Sequence, residues 1–540
     1  MAVSILMALT LCAGCAGDDS LTEIALLQKK VQETDDEVVK ALKAIPEISD
    51  IKIGAETVYG IDAETNELKK TDMNTYNFNF TQPVDYQNPS SGTYTQRVRL
   101  IFKGFDKNVV LYSHGYAFNN DMTEYTPLAA HLDANQIEVE HRYFGNSLPE
   151  NFEDSRMTYL NADQQAHDIH NIVSTLRKSI FCNGKWASTG VSKDGITTAL
   201  QAYYSDKYNW HDIDVFVPFC APFLTGTTNS DGSFSCMDSA PGVYLHKTCG
   251  SGYKAGTAEA IGYERLRKIP YYICTNEKIR QTAIEAAYNV DPAAYQKILN
   301  QYHQKSEYST GDLNKDLTAF AISSYLDKLY DKFSNVLYSR WASLIPDIDE
   351  FASGRIDDED FDVLKKFFFW GSKEVKKELA KTETVTRGSV SDIYWDFLQY
   401  RRAVSSAAYR IQGFKELGIA VHDYSCVDGT FLTAKQCYDV NYIFTEQSRY
   451  QGAYPQDRGK LMKDFLAWVE KETTMPLIFV YARNDPWTGG GITSDRVKLS
   501  PMVVSVVDSI AMHNDRFHSR RYYTQTSENA IVEALNKFLK

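Results

Sequence analysis

Short apolar runs alternate with longer stretches of helical periodicity over residues 73–222, and again over 471–540. In the first stretch Tyr76-x-Phe78-x-Phe80 alternates with polar residues, Asn88-Pro89-Ser90-Ser91-Gly92 marks a turn, and Tyr94 to Phe102 alternates again, which predicts a strand pair. Val109 to Ser113 is a compact apolar run ending at His114-Gly115, and Gln136 to Glu140 is a further short strand candidate. Asp163 to Arg177 places Ala166, Ile169, His170, Val173 and Leu176 on one helical face. Lys185 to Gly190 predicts a strand, Ile196 to Tyr204 a helix and Ile213 to Phe219 another strand. Near the C-terminus Met475 to Ala482 and Met502 to Val507 predict strands, and Ser527 to Leu539 a closing helix. Strands alternating with helices at this spacing predict an α/β fold with a largely parallel sheet.

The pattern changes between 223 and 470, where long helical periods such as Leu313 to Tyr338 and Ser391 to Leu417 dominate and strand-like runs are few. A helical insertion is therefore expected inside the α/β unit. Residues 21–44 also have helical spacing before Pro46, which predicts an amphipathic helix, either a spacer or a helix packed on its own domain.

The leading segment changes the picture of where the chain works. Ala2 to Ala13 is apolar but too short to span a bilayer, which takes about 20 residues. It fits the core of a signal peptide. Ala13-Gly14-Cys15 then resembles a lipoprotein cleavage motif with Cys15 as the acylated residue, and Asp18-Asp19 resembles the acidic export tag of some Gram-negative surface lipoproteins. No Lys or Arg precedes the apolar run, which keeps a plain cleaved signal without lipid as the alternative. The expectation is an exported lipoprotein of the outer membrane, facing the periplasm or the cell surface and held to the membrane only through its anchor. Of nine cysteines, Cys12 and Cys15 lie in this segment. Spacing suggests Cys426–Cys437 and Cys236–Cys249 as bridges without fixing the connectivity.

The chain has 540 residues and a net charge of −13, which argues against a partner recognised by phosphate neutralisation, so no nucleic acid is expected. No metal or cofactor is predicted either. His167-x-x-His170 lacks a Glu or Cys partner for a zinc pattern, and Gly489-Gly490-Gly491 lacks the Lys-Ser/Thr ending of a phosphate loop.

The chemistry concentrates in Trp186-Ala187-Ser188-Thr189-Gly190-Val191-Ser192-Lys193-Asp194-Gly195. A predicted strand runs into a sharp turn, a serine and a helix, the context of a nucleophile elbow that lifts a serine Oγ above the end of a sheet. Gly190 supplies the small residue two places before the serine. Asp194 stands two places after it, where glycine is usual, and predicts either strain in the elbow or a negative charge beside the oxyanion. In such folds the acid and then the base follow in the chain. Asp485 lies just past the predicted strand ending at Ala482, and His513 follows 28 residues later. Ser192 as nucleophile, His513 as general base and acid, and Asp485 as the orienting carboxylate form a complete triad. Asp485 before Pro486 also suits a turn former, and His518 is a second candidate base. The oxyanion donors are expected to be the backbone N–H groups of Lys193 and Tyr116, with Gly115 allowing a close approach and the Lys193 side chain solvated.

These residues resemble a known group. Gln82-Pro83-Val84-Asp85-Tyr86-Gln87-Asn88-Pro89 with Tyr94-Thr95-Gln96-Arg97-Val98 resembles the opening motif shared by two serine peptidase families. One is the lysosomal prolyl carboxypeptidase and dipeptidyl peptidase group, and the other is the bacterial tripeptidyl aminopeptidase group, PS-10 type, peptidase family thirty-seven. Tyr86 stands where that motif has His. Glu140-His141-Arg142-Tyr143-Phe144-Gly145-Asn146-Ser147-Leu148-Pro149 is similar to a segment of both families. Thr189 to Lys193, Asn484 to Gly490 and Gln412 to Gly418 resemble the elbow, acid loop and a helical segment of the bacterial group. The resemblance implies an α/β-hydrolase fold with a large inserted helical cap. It divides the chain into a signal peptide at 1–15, a tether and N-terminal helix at 16–72, hydrolase parts at 73–222 and 471–540, and a cap at 223–470. The implied activity is that of an exported serine exopeptidase that releases N-terminal tripeptides through an acyl-enzyme, some members preferring proline. Its partners would be peptides with free N-termini. A carboxylate must then meet the substrate ammonium, and Glu140 is a candidate, as against a structural ion pair with Arg142 or a neighbour. An esterase or other acyl hydrolase on the same scaffold, and an inactive peptide-binding surface lipoprotein, are the competing readings.

Overall fold

The computed structural model describes residues 36–540 except 55, 63–66, 119–120, 150–156, 224–225, 229–233, 237–268, 326–407, 410, 418–426, 443–459, 484, 495–496, 514, 516 and 518–522. Cys15, the acidic pair after it, the first part of the 21–44 helix, Cys249, Cys426 and His518 therefore lie outside the described residues.

The chain begins with α1 (Glu37–Lys43), β1 (Ile48–Ile53), β2 (Thr57–Ile61) and β3 (Leu68–Lys70). It continues through β4 (Thr75–Pro83), β5 (Thr93–Ile101), β6 (Val109–Ser113), β7 (Met122–Glu124), α2 (Pro127–His131) and β8 (Asn135–Val139). Then come α3 (Ala162–Ser179), β9 (Trp186–Val191), α4 (Lys193–Lys207) and β10 (Val215–Phe219). Further along the chain, α9 (Lys460–Lys471) leads into β13 (Leu477–Ala482), β14 (Val503–Asp508) and α10 (Gln525–Phe538).

Nine strands form one sheet in the order β1-β4-β5-β8-β6-β9-β10-β13-β14. The pairs from β1 to β8 are antiparallel, and every pair from β8–β6 to β13–β14 is parallel. Setting aside the extra edge strand β1, this crossover order with its antiparallel early strands is that of an α/β-hydrolase. Parallel strands must be covered on both faces and so read as continuous apolar runs. β13 shows this: Leu477, Phe479 and Tyr481 enter the core shared with α1, α3, α4 and α9, while Ile478, Val480 and Ala482 enter the core shared with α2 and α10. β4 instead alternates buried and half-buried positions, as its Tyr-x-Phe-x-Phe pattern predicts.

Residues 36–70 differ from the expected tether. Val38, Val39, Leu42, Ile45 and Ile48 are buried in the main core, β1 pairs with β4, and β2 pairs with β7. β1 reads Ile-Ser-Asp-Ile-Lys-Ile and is buried only at Ile48, so its signal is weak because it lies at the sheet edge.

Between β10 and β13 the described residues include a short antiparallel pair, β11 (Gly226–Thr228) and β12 (Phe234–Cys236). Helices α5 (Glu277–Val290), α6 (Pro292–His303), α7 (Leu313–Ser324) and α8 (Ala434–Tyr442) follow. Asn276, Asp291 and Asp312 cap the first three through their side-chain oxygens, satisfying N–H groups that the first turn leaves open. These helices share a core of their own, containing Ile279, Ile298, Phe320, Tyr325 and Val440. Trp487 and Met512, which flank the candidate acid and base, pack against that core. Among the described residues no helix is long and apolar enough to cross a membrane.

Candidate active site

The parallel strands all end at one edge of the sheet, and each proposed functional group follows one of those ends. His114-Gly115 follows β6, Ser192 follows β9, Cys220 follows β10, Asp485 lies beyond β13 and His513 beyond β14. Concentration of chemistry outside the carboxyl ends of strands is the general habit of open α/β sheets.

Ser192 sits at φ 61° and ψ −122°, a backbone conformation an L-residue adopts only under strain of about 1–3 kcal/mol. Two backbone bonds hold it: its N–H donates to the Phe219 carbonyl at 2.9 Å, and its carbonyl accepts from Ile196 N at 2.9 Å to begin α4. The turn depends on two glycines. A Cβ on Gly190 would stand 2.5 Å from the Asp194 carbonyl carbon, and one on Gly195 would stand 2.8 Å from the Phe219 carbonyl oxygen. Gly195, one place later than usual, takes the close contact with β10, which leaves position 194 open to a side chain.

Asp485 and His513 are joined by a 2.8 Å bond between Oδ2 and Nδ1. The carboxylate is fully buried and the imidazole is half-buried. Asp485 is also a turn former, because its Oδ1 accepts the Trp487 N–H at 2.9 Å and caps the short 3-10 turn Pro486–Gly490. The two readings of Asp485 are one arrangement, with an oxygen for each task. The loop carrying His513 is tied at both ends by Asp508. Its Oδ1 accepts from Ile510 N and Ala511 N at 2.9 and 2.8 Å, and its Oδ2 accepts from Thr524 N and Oγ1 at 2.7 and 2.8 Å.

Cys220 was not singled out in the sequence. Its position directly after a predicted strand is the signal that could have found it. It is buried, and burial together with the neighbouring Asp485, to which its thiol hydrogen-bonds, pushes its pKa well up. One ligand atom each from Cys220, Asp485 and His513 lies within 4.8 Å of the others, the one such grouping among the described residues. The 2.8 Å bond between Asp485 and His513 already engages two of its three groups.

Asp194 turns inward. Its Oδ1 accepts the Gly115 N–H at 2.6 Å, its Oδ2 accepts the Tyr112 hydroxyl at 3.0 Å, and His114 Nδ1 lies 3.9 Å from it. Burial raises its pKa, against the opposing pull of His114 and the Gly115 N–H. His114 lies between Asp194 and Glu138, whose Oε2 is 3.6 Å from Nε2. Burial alone would lower the His114 pKa, but the two carboxylates outweigh it and raise it. The charge introduced at 194 is thus spent on the loop that carries a candidate oxyanion donor.

Lys193 also departs from expectation. It is buried, not solvated. Its ammonium donates to the Gly115 carbonyl and lies 5.2 and 4.9 Å from the ring centres of Tyr116 and Phe144. Burial lowers its pKa to about 7, against the pull of Asp194 and Glu416. A Cβ on Gly115 would meet the Lys193 backbone at 2.9 Å, so the loops carrying the two candidate oxyanion donors touch.

Glu140 is placed where it cannot serve as an ammonium ligand. It is fully buried, and its oxygens accept from Asn146 N at 2.9 Å, Ser147 N at 3.1 Å, Ser147 Oγ at 2.8 Å and Arg97 Nη1 at 3.3 Å. Arg142, the expected partner, instead grips Asp168 with two bonds of 2.7 and 2.8 Å and donates to the carbonyls of Val84 and Tyr159 at 3.1 and 2.9 Å. The conspicuous charged motif is therefore a staple joining three segments. His170 bonds Asp212 at 2.7 Å and stacks on Trp210, and His167 Nδ1 donates to the Asp163 carbonyl at 3.0 Å, so the helical histidine pair has separate structural duties. A cavity of about 420 Å³ opens beside the site, lined by Tyr112, His114, Glu138, Val191, Phe219 and Asp515 among others.

An α/β-hydrolase sheet with an acid–base pair at its carboxyl edge defines a class of protein that many activities share. Residues 44–238 match the PS-10 peptidase S37 family. The chain is 32% identical over 143 residues to a prolyl tri/tetrapeptidyl aminopeptidase from Streptomyces mobaraensis, an alignment covering 26% of this chain and 28% of that protein. Solved structures similar to it include an esterase from Xanthomonas oryzae at 11% identity, a TM-score of 0.31 and coverage of 91% and 98% of the two chains. An epoxide hydrolase from Vigna radiata matches at 13% identity, a TM-score of 0.28 and coverage of 85% and 98%. At such scores the fold assignment stays with the sheet order itself.

Proposed function

We propose that this protein is a serine exopeptidase that removes tripeptides from free N-termini. The observation that carries the reading is the Asp485–His513 hydrogen bond at the sheet edge where the strained elbow presents Ser192. Ser192 Oγ attacks the scissile carbonyl carbon while its proton passes to His513 Nε2. Asp485 holds the imidazole through Nδ1, so that Nε2 is the basic nitrogen. The oxyanion forms against the N–H groups of Lys193 and Tyr116. On collapse the C–N bond breaks, the leaving amine takes the proton from His513, and the acyl-enzyme is then released by water along the same path. The family match and the aminopeptidase relative favour a peptide substrate, and the relative's name favours proline before the cut.

The cap core packed on Trp487 and Met512 would restrict entry to chain ends and exclude water. With Glu140 committed elsewhere and Glu138 held by Arg99, Thr123 and Gln136, Asp515 on the wall of the adjoining cavity is the better placed carboxylate for the substrate ammonium. The leading segment supports export and a lipid anchor at Cys15, with the site on the periplasmic or outer face.

A panel of chromogenic substrates tests this reading. A free-amine Ala-Ala-Pro anilide should be cleaved and its N-succinyl form should not. Cleavage of simple acyl esters alone would favour an esterase, and turnover of none would favour a binding protein.

A further inference from the structure

The two side chains that follow Ser192 act on the two sides of one glycine. Asp194 Oδ1 accepts the Gly115 N–H at 2.6 Å, and the Lys193 ammonium donates to the Gly115 carbonyl. That carbonyl belongs to the Gly115–Tyr116 peptide. In a trans peptide the C=O and the N–H of the next residue point in opposite directions within one rigid plane. A donor fixed on the Gly115 oxygen therefore fixes the direction of the Tyr116 N–H. A positive charge on that oxygen also draws electron density toward it and makes the N–H a stronger donor.

Resting on the serine hydrolase reading above, we propose that Lys193 is a positioning residue of the oxyanion hole: its ammonium orients and polarises the Gly115–Tyr116 peptide so that the Tyr116 N–H meets the oxyanion. Asp194 locks the preceding N–H of the same loop.

The surroundings suit this role. The ammonium is enclosed by the faces of Tyr116 and Phe144, and the Tyr116 ring stacks on Tyr409 at 5.8 Å. Cation–π contact offsets part of the cost of burying the charge. Four ionisable groups face it: Asp194 on its own helix, Glu416 on the 413–417 segment, His141 after β8, and His114 beside Gly115 through Asp194. Burial and the nearby Lys193 hold the His141 pKa well down, which disfavours a competing cation there. The Lys193 pKa of about 7 makes the charge titrate in an accessible range. The neutral amine still donates a hydrogen bond to Gly115, so orientation survives but polarisation weakens as pH rises through that value.

The test is the second-order rate of fluorophosphonate labelling of the full chain from pH 5 to 9, for wild type, Lys193→Met and Ser192→Ala. Wild-type labelling should fall severalfold as pH rises through about 7. Lys193→Met should label about tenfold more slowly at pH 6 and lose the alkaline fall, a smaller cost than the roughly 10²–10³-fold of losing an oxyanion donor outright. Loss of packing alone would slow labelling equally at every pH and leave the alkaline fall in place, which overturns the proposal. A wild-type profile flat from pH 7 to 9 overturns it as well, and needs no variant to fold. Ser192-dependent labelling with Lys193→Met matching wild type removes the proposal and leaves the serine hydrolase reading standing. Absence of labelling in folded wild type removes both.

Discussion

Asp485 holds His513 Nδ1 with one carboxylate oxygen at 2.8 Å while its other oxygen caps the Trp487 N–H at 2.9 Å. The acid is thus fixed in orientation before it orients the imidazole. In Asp485→Asn, the amide oxygen can keep the cap, which turns the NH₂ toward His513. An NH₂ there requires an acceptor at Nδ1, so the proton moves to Nε2 and the base is lost. Turnover should fall by about 10⁴-fold with the fold retained. The comparison of initial rates with the thermal midpoint checks this; a loss of activity matched by unfolding would point to a structural role alone.

Arg142 bridges Asp168 on α3 and the Val84 and Tyr159 carbonyls, and both members of the ion pair are fully buried. Removing one partner of a buried pair leaves the other charge without compensation. Arg142→Met should destabilise the protein by about 3–5 kcal/mol. Urea unfolding at pH 7 reads this directly, and a change within experimental error would contradict the staple assigned to this motif.

Glu140 receives three donors from the Asn146–Ser147 turn in addition to Arg97. Glu140→Gln sets an NH₂ against those donors. The expected result is a stability loss of about 1–3 kcal/mol with KM for free-amine peptides unchanged. A KM rise confined to free-amine substrates would restore the ammonium-binding role.

Asp508 anchors both ends of the His513 loop. Burial pushes its pKa up, but the N–H groups of Thr524, Ile510 and Ala511 and the Thr524 hydroxyl outweigh this and hold it below the usual value. A depressed carboxylate contributes stability above its unfolded pKa of about 3.9, and that contribution is lost as pH falls through the folded value. Asp508→Asn should therefore be less stable than wild type at pH 7 by about 1.5–3 kcal/mol, with the gap closing as the acid limb is descended. Unfolding curves at pH 7 and at successively lower pH would show this; a gap independent of pH would contradict it.

The legible parts of the fold were those whose burial is decided locally. Val109 to Ser113 forms a strand with the predicted limits, because a short run of four apolar residues closed by a small serine fits a strand covered on both faces. The edge strand Ile48–Ile53 was missed because only Ile48 needs burial. Ser192, Asp485 and His513 were readable because each follows a recognisable strand. The structure brings the last two into contact and sets the first on a strained turn at the same sheet edge. Lys193 was misjudged because a lysine in the first turn of a helix looks exposed until Tyr116 and Phe144, from two other loops, are seen to enclose it. The sequence offered Glu140 an ion pair with Arg142 or a neighbour without naming Arg97, because that partner comes from the neighbouring strand β5 and not from the adjacent sequence. Asp194 read as a defect because its partners Gly115 and Tyr112 lie some eighty residues away.

The central claim is an activated nucleophile at Ser192. A fluorophosphonate probe applied to the full chain beside Ser192→Ala tests it most directly. The account predicts one label per chain, located on the Ser192 peptide and absent from the variant. A wild-type protein that is folded by circular dichroism yet takes no label, or one that labels equally with Ser192→Ala, would contradict it.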